Sequence, residues 1–354
     1  MVRNPDRSQG FSDMTRHRIA IVGLGMAVTP HAKSLLDLTE RTEVACAMSP
    51  SAARRQAFSA RFPFPTIDSL APILEDRGIG VAAVLTPPNT HLEIAAALAR
   101  AGKHILLEKP LDISTARAER LVAACREANV ALGVVLQHRF KPAAERLAAM
   151  LRAGDLGRIV NCSTSIRLWR PQSYYDEPGR GTKARDGGGV LLTQGIHTLD
   201  LMLSLAGPVA EVQGFAVTSP VHRMETEDLV CAAVRFDSGA VGVIEATTAA
   251  YPGAPERIAL IGTKGTAVLA GTAIGVHFHD GRREELAPDD SPGGAGADPM
   301  AFPHDYHLGV WRDFLDALEA GRPPRVSGEQ ALAVHRLIDA LLAAGATGRA
   351  VSPA

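Results

Sequence analysis

From Arg18 to about residue 138, short apolar and β-branched runs alternate with longer amphipathic stretches. Parallel strands buried on both faces read as near-continuous apolar runs, so this alternation predicts βαβ units. Strands are expected at Ile19–Val22, Glu43–Ala47, Val81–Leu85, His104–Leu107 and Ala131–Leu136. Helices are expected over Thr90–Ala101, closed by Gly102, and over Ser114–Ala128, where Ser114 is a natural N-cap.

After a helix over Pro142–Ala153 the pattern changes to longer, half-polar alternation. Such alternation predicts a mostly antiparallel sheet with strands at Ile159–Leu168, Val209–Val217, Leu229–Phe236, Val241–Thr248, Arg257–Ile261 and Ala267–Ala270. Asp237-Ser238-Gly239 and the Gly262 to Gly265 segment supply hairpin turns. A helix over Val190–Ala206 follows Gly187-Gly188-Gly189, and helices over Asp305–Ala320 and Gly328–Ala344 close the chain. Ala287–Asp298, rich in Pro, Gly and Asp, reads as a mobile loop. The fold class is therefore α/β: a doubly wound parallel sheet over 17–138, then an α+β unit on an open, mostly antiparallel sheet over 139–354. Residues 1–16 are polar and read as a disordered tail, within which Met14 is an alternative start.

Composition narrows the partner. The 354 residues exceed what one core usually supports. Thirty-seven Lys+Arg against thirty-eight Asp+Glu give a net charge of -1, which leaves no basic excess for nucleic acid or an anionic membrane. No apolar run is long enough to span a bilayer. A small molecule is the expected partner. Cys46, Cys125, Cys162 and Cys231 lack metal or redox spacing and are expected as reduced core residues of a cytoplasmic protein.

Gly23-Leu24-Gly25-Met26-Ala27-Val28 follows the first strand and opens a helix. Backbone N–H groups and the helix dipole at such a junction hold a pyrophosphate, which points to a dinucleotide. The usual third glycine is Val28, a change that bears on helix packing more than on phosphate contact. At the end of the second strand an NAD enzyme would place a carboxylate for the ribose hydroxyls. Here stand Ser49-Pro50-Ser51, then Arg54 and Arg55. Hydroxyls and a guanidinium suit a 2′-phosphate, so NADP is expected over NAD, with Ser49 and Arg54 as contacts. The competing reading is a serine helix cap beside solvated arginines.

Further motifs come in order. Thr86-Pro87-Pro88-Asn89-Thr90-His91 follows one strand and Glu108-Lys109-Pro110 the next. The glycine triplet leads into Thr193-Gln194-Gly195-Ile196-His197, and His307 to Phe314 and Gly321-Arg322-Pro323-Pro324 come near the end. With these segments the chain resembles the Gfo/Idh/MocA oxidoreductases from about residue 17 to the end. The resemblance implies a Rossmann domain and a C-terminal domain whose open sheet forms homodimers or homotetramers. It also implies hydride exchange between a nicotinamide and a sugar, polyol or sugar derivative. It assigns catalysis to Lys109 and His197, and the cofactor cleft to Gly23, Leu24, Gly25, Met26, Ala27, Thr86, Pro87, Pro88, His91, Glu108 and Gln137. Many members carry Asp where this chain has Thr193; the Thr193-Gln194 pair looks like members acting on nucleotide-linked or amino sugars.

The residues themselves fit this chemistry. An imidazole titrating near pH 6.5 (roughly) is a suitable base for a substrate hydroxyl. Ideal helical spacing puts Thr193, His197 and Asp200 on one face, so that Asp200 could orient His197. Lys109, at a strand's carboxyl end, can polarise the substrate oxygen, and Glu108 either pairs with it or caps a loop. Arg139, Trp169, Arg170, Thr193 and Gln194 are candidate substrate contacts. Arg167, Arg170 and Arg180 would tolerate an anionic group. His277/His279 and His304/His307 are not expected to bind metal, because no cluster of carboxylates or cysteines stands beside them and the resemblance offers no precedent. Two alternatives stand beside a dehydrogenase or reductase: a glycoside-cleaving enzyme that retains its nicotinamide, and a non-catalytic NADP sensor.

Overall fold

The computed structural model describes residues 16–288 and 303–353. All but the last residue of the expected tail, the start at Met14 and most of the loop expected at 287–298 lie outside them.

Six strands form the first sheet: β1 (His17–Val22), β2 (Thr42–Met48), β3 (Thr66–Ile67), β4 (Val81–Val84), β5 (His104–Leu107) and β6 (Leu132–Val134). Every pairing is parallel, in the order β3-β2-β1-β4-β5-β6. The connecting helices are α1 (Val28–Asp37), α2 (Ala52–Ser59), α3 (Ala71–Glu75), α4 (His91–Arg100) and α5 (Thr115–Glu127). Near-complete burial of β1 and β4 explains their apolar composition. The chain leaves β1 toward β2 on one side and returns to β4 on the other. That reversal opens a crevice at the strands' carboxyl ends, where ligands of such sheets bind. Ser114 accepts the Arg117 N–H as expected and starts α5.

The second part contains α6 (Pro142–Ala153), β7 (Ile159–Arg167), α7 (Gln172–Tyr175), α8 (Ile196–Ala206), β8 (Val209–Val217), β9 (Leu229–Phe236) and β10 (Val241–Thr247). It continues with β11 (Arg257–Gly262), β12 (Gly265–Ala270), β13 (Ala273–Phe278), β14 (Arg283–Leu286), α9 (Asp305–Ala320) and α10 (Gly328–Thr347). The eight strands run in the order β14-β13-β12-β11-β7-β10-β9-β8. All pairs are antiparallel except β7 with β10. Both expected hairpin turns join antiparallel neighbours.

One face of this sheet packs on α6, α8 and α10, and the other is open. Val241 and Val243 are 53% and 50% exposed and Phe215 74%, while alternate residues such as Ile244 and Val212 are buried. Cys231 points to the open side, which corrects its expected place in the core; the other three cysteines are buried. The closing helices return to the first sheet. Phe314 of α9 lies against Gly133 of β6, and the Val134 N–H donates to the Val326 carbonyl. His307 of α9 also comes within 3.9 Å of Glu108, the residue before Lys109.

Candidate active site

The turn after β1 has the geometry its glycines predict. Gly23 has φ +108°, and a Cβ there would fall 2.7 Å from the Leu85 carbonyl carbon. A Cβ on Gly25 would meet nothing within 4 Å, so this backbone borders open space. The first turn of α1 has neither a side-chain cap nor an acidic residue; the Val28 N–H donates to the Gly25 carbonyl and Pro30 has none, so the Thr29 N–H and the positive end of the helix dipole are what this turn offers an anion. These features fit a dinucleotide pyrophosphate. Met26 and Ala27 border the cavity, whereas the Leu24 side chain is buried in the core, so Leu24 offers only backbone. Val28 is buried at the start of α1, in the packing position usually given to glycine.

At the end of β2, Ser49 is buried and its hydroxyl accepts the Ser51 N–H. Ser51, not Ser49, caps α2 by accepting the Arg54 N–H. The Arg54 side chain is exposed on that helix. It is Arg55 that reaches back, donating from Nη1 to the Ser49 carbonyl at 2.6 Å. The guanidinium beside the strand end therefore belongs to Arg55 rather than to the expected Arg54.

A cavity of about 630 Å³ extends from Met26 past Thr86, Pro88 and Gln137 to Lys109 and His197. Its size suits a small ligand. The expected cleft residues Pro87 and His91 are not on its wall. His91 is instead buried behind it, with Nε2 2.8 Å from the Thr86 carbonyl and Nδ1 3.0 Å from that of Pro110. It braces the two cleft loops together. Lys109 Nζ donates to the Thr193 carbonyl at 2.7 Å. Burial pushes its ammonium below the ordinary lysine range; Glu108 opposes this, and Arg170 and Arg180 add to it. Glu108 is buried as well and accepts the Lys109 backbone N–H at 3.0 Å.

The helix expected over Val190–Ala206 begins with a π turn, Leu191–Gly195, before α8. Such turns displace side chains from ideal spacing and recur at functional sites. Thr193 and His197 both border the cavity, but Asp200 does not. Asp200 is fully buried and receives Arg139 Nε at 2.7 Å and Nη2 at 2.6 Å. The expected alignment of Asp200 with His197 is thus replaced by a bidentate pair with Arg139. The start of this helix is held by Glu227, which accepts the Gly189 and Leu191 N–H groups. A Cβ on Gly189 would fall 1.8 Å from the Glu227 carbonyl oxygen, a close approach that requires glycine there.

His197 packs against His138, with ring centroids 4.9 Å apart and planes 32° apart. Its Nδ1 is sealed from solvent with no hydrogen-bond partner among the described residues. Burial holds His197 well below the ordinary histidine range, and Lys109 and His138 push in the same direction. His138 also borders the cavity, although only its neighbours Gln137 and Arg139 are singled out from the sequence. Its place at the end of β6, the sheet edge where ligands collect, was the available signal.

The expected substrate contacts divide. Arg170, Thr193 and Gln194 reach the cavity, as do Tyr174 and Arg180. Arg139 and Trp169 do not: Arg139 is committed to Asp200 and Gln330, and Trp169 packs on Tyr251 and His222. Arg167 pairs with Glu245 and is exposed on the open sheet face. The ground for setting aside His304/His307 also needs correction, since Glu108 Oε1 lies 3.9 Å from His307 Nε2 although far away in sequence. His304 turns outward to Asp37.

Residues 17–136 match the model of the oxidoreductase family with an NAD-binding Rossmann fold, and residues 144–268 the GFO/IDH/MocA C-terminal domain. Myo-inositol 2-dehydrogenase of Thermotoga maritima is 27% identical over 88% of this chain and 91% of its own. D-xylose 1-dehydrogenase (NADP(+)) 2 of Haloferax volcanii is 26% identical over 87% and 91%. Among solved structures, the WlbA dehydrogenase of Bordetella pertussis, in complex with NADH and UDP-GlcNAcA, superposes with a TM-score of 0.81. It is 28% identical and covers 95% of this chain and 98% of its own. No helix among the described residues is long and apolar enough to cross a membrane. The chain belongs to the Gfo/Idh/MocA family of nicotinamide-dependent oxidoreductases.

Proposed function

We propose that this chain transfers hydride between NADP and a hydroxyl or keto carbon of a sugar, polyol or sugar derivative, with Lys109 and His197 as its catalytic residues. The carrying observation is that both residues border one cavity that also reaches Met26 and Ala27, next to the glycine turn, and Pro30 in the first turn of α1. The nicotinamide, when bound, accepts or supplies the hydride. Lys109 has three N–H donors, of which Thr193 takes one. The remaining donors can hold the substrate oxygen and stabilise it as an alkoxide. Burial keeps His197 in the neutral form that can accept the hydroxyl proton, and makes it a weaker base than the free imidazole expected from the sequence. NADP is favoured by the carboxylate-free end of β2, with Ser51 and the Arg55 guanidinium offered to a 2′-phosphate and the buried Ser49 supporting the turn beneath them.

The resemblance to an enzyme crystallised with UDP-GlcNAcA supports the substrate reading of the Thr193-Gln194 pair, and a sugar derivative is the first candidate. We assign 17–138 to nucleotide binding and 139–354 to the substrate, with α9 and α10 packing back on the first sheet. The open face bearing Phe215, Val241 and Val243 is assigned to a second copy of the chain, because a patch of this kind is unusual on a monomer. Glycoside cleavage and a sensor role are not favoured, since a sensor needs neither Lys109 nor His197.

The test is a panel of sugars, inositols and sugar nucleotides incubated with NADP+ or NAD+ and followed at the nicotinamide absorbance band. Net reduction of NADP+ is expected with at least one sugar derivative. Turnover of a glycoside with no net change in nicotinamide would replace this reading.

A further inference from the structure

Behind Lys109 stands a line of buried polar groups that runs from α9 through α1 to Glu108. Trp311 on α9 is fully buried, and its Nε1–H donates to His31 Nδ1 at 3.1 Å. His31, also fully buried on α1, places Nε2 3.0 Å from Glu108 Oε1. The other oxygen of Glu108 accepts the Lys109 backbone N–H, and Lys109 Nζ reaches the Thr193 carbonyl. An indole N–H can only donate, so His31 Nδ1 is an acceptor and the ring proton sits on Nε2. His31 therefore donates to the Glu108 carboxylate, which receives N–H donors from both sides, His31 on one oxygen and the Lys109 backbone on the other.

We propose that His31, with its tautomer set by Trp311, is a positioning residue that fixes Glu108 and through it the Lys109 backbone and ammonium. The proposal deepens the assignment of Lys109 to catalysis and rests on it. His31 lies one turn into the helix whose N-terminal end would face the pyrophosphate, so one helix orients both cofactor and lysine.

His31, Glu108 and His307 also bring one potential ligand atom each within 4.8 Å of one another, as a cation site would. The hydrogen bonds argue against that use. A metal on His31 Nε2 would move the ring proton to Nδ1, where it would face the Trp311 N–H. Ligating histidines instead donate their second N–H to an acceptor. The donor set thus fits a hydrogen-bonded line better than a metal.

The experiment reads Lys109 directly and needs no substrate. Acylation of the intact protein by acetic anhydride is followed across pH, with the Lys109 peptide quantified by mass spectrometry. Lys109 is faced by Glu108 and Asp186, by Arg170 and Arg180, and by His138, His197 and His307. Without the His31 donor, the buried Glu108 carboxylate takes a proton or turns away, and the ammonium loses its adjacent negative charge. His31→Leu should therefore acylate several-fold faster at Lys109 at pH 8 than wild type, with its profile displaced to lower pH. His31→Gln keeps a donor and should restore the wild-type profile. Trp311→Phe removes the indole N–H and should shift the profile in the same direction, which covers the case of a leucine variant that fails to fold. An unchanged Lys109 profile in folded His31→Leu would overturn the proposal and leave His31 a packing residue. Stoichiometric Zn²⁺ uptake by wild type, lost in both His31→Leu and Glu108→Gln, would overturn it in favour of a metal site. If the profiles behave as expected and no sugar reduces NADP+, the failure belongs to the proposed function and not to His31.

Discussion

His138 and His197 lie ring against ring in the cavity wall, 4.9 Å between centroids, and burial holds both well below the ordinary histidine range. Each has the other and nearby ammonium groups as neighbours, so protonating either is unfavourable. The neutral, proton-accepting form of His197 therefore persists below the pH at which a free imidazole would charge. In the direction of alcohol oxidation, kcat should stay level as pH falls through about 6.5, the ordinary histidine value. Its acid limb should appear only well below that. Because burial also lowers Lys109, activity should fall on the alkaline side before the ordinary lysine value is reached. A pH–rate profile of kcat and kcat/KM checks both limbs.

Cofactor choice is predicted to follow Arg55. Charge-assisted hydrogen bonds contribute about 1.5–3 kcal/mol, which corresponds to roughly 10- to 150-fold in affinity. Arg55→Ala should lose that much NADPH affinity and leave NADH binding nearly unchanged. Arg54→Ala should change neither, since its side chain is exposed. Fluorescence titration with both nucleotides measures the difference.

The Arg139–Asp200 pair is predicted to support the fold rather than the reaction. Asp200 is fully buried and Arg139 nearly so, and removing one member of a buried pair costs about 3–5 kcal/mol. Asp200→Asn should therefore unfold at markedly lower denaturant, while the folded fraction keeps its substrate KM. Chemical denaturation beside steady-state kinetics separates the two effects.

Acid should destabilise the protein through α10. His335 Nε2 accepts the Leu111 N–H, and burial holds this imidazole down at about 4. The unfolded ring titrates near 6.5 (roughly), so the unfolded chain binds the proton first. The stability contributed by the neutral ring is complete above about 6.5 and is lost as pH falls toward about 4. The total is about 3 kcal/mol. His335→Gln should flatten the fall in Tm between pH 7 and pH 4, as calorimetry would show.

Much of this architecture was legible from apolar patterning, because buried parallel strands and capped helices leave strong local signals. Ser114 announced α5, and Gly23 and Gly25 announced the turn that φ +108° and open space require. What patterning missed depends on distant partners or short elements. β3 has two residues and three of the four residues of β14, Arg283, Glu284 and Glu285, are charged, so neither carries an apolar period. The π turn shifted Asp200 to Arg139, and no spacing rule anticipates one extra residue per turn. His91 was legible as part of a motif but not as a brace, since its partners include Pro110 across the cleft. The set of His31, Glu108 and Trp311 could not be seen at all, because three separate elements bring it together.

The central claim is that Lys109 and His197 perform hydride exchange at a sugar carbon beside a nicotinamide. Single-turnover reduction of bound NADP+, with a sugar from the panel and with Lys109→Ala and His197→Ala proteins, tests it most directly. Loss of general base or electrostatic assistance should slow the step by about 100- to 10,000-fold in each variant, with NADPH affinity largely retained. Turnover at the wild-type rate in both variants would contradict the account.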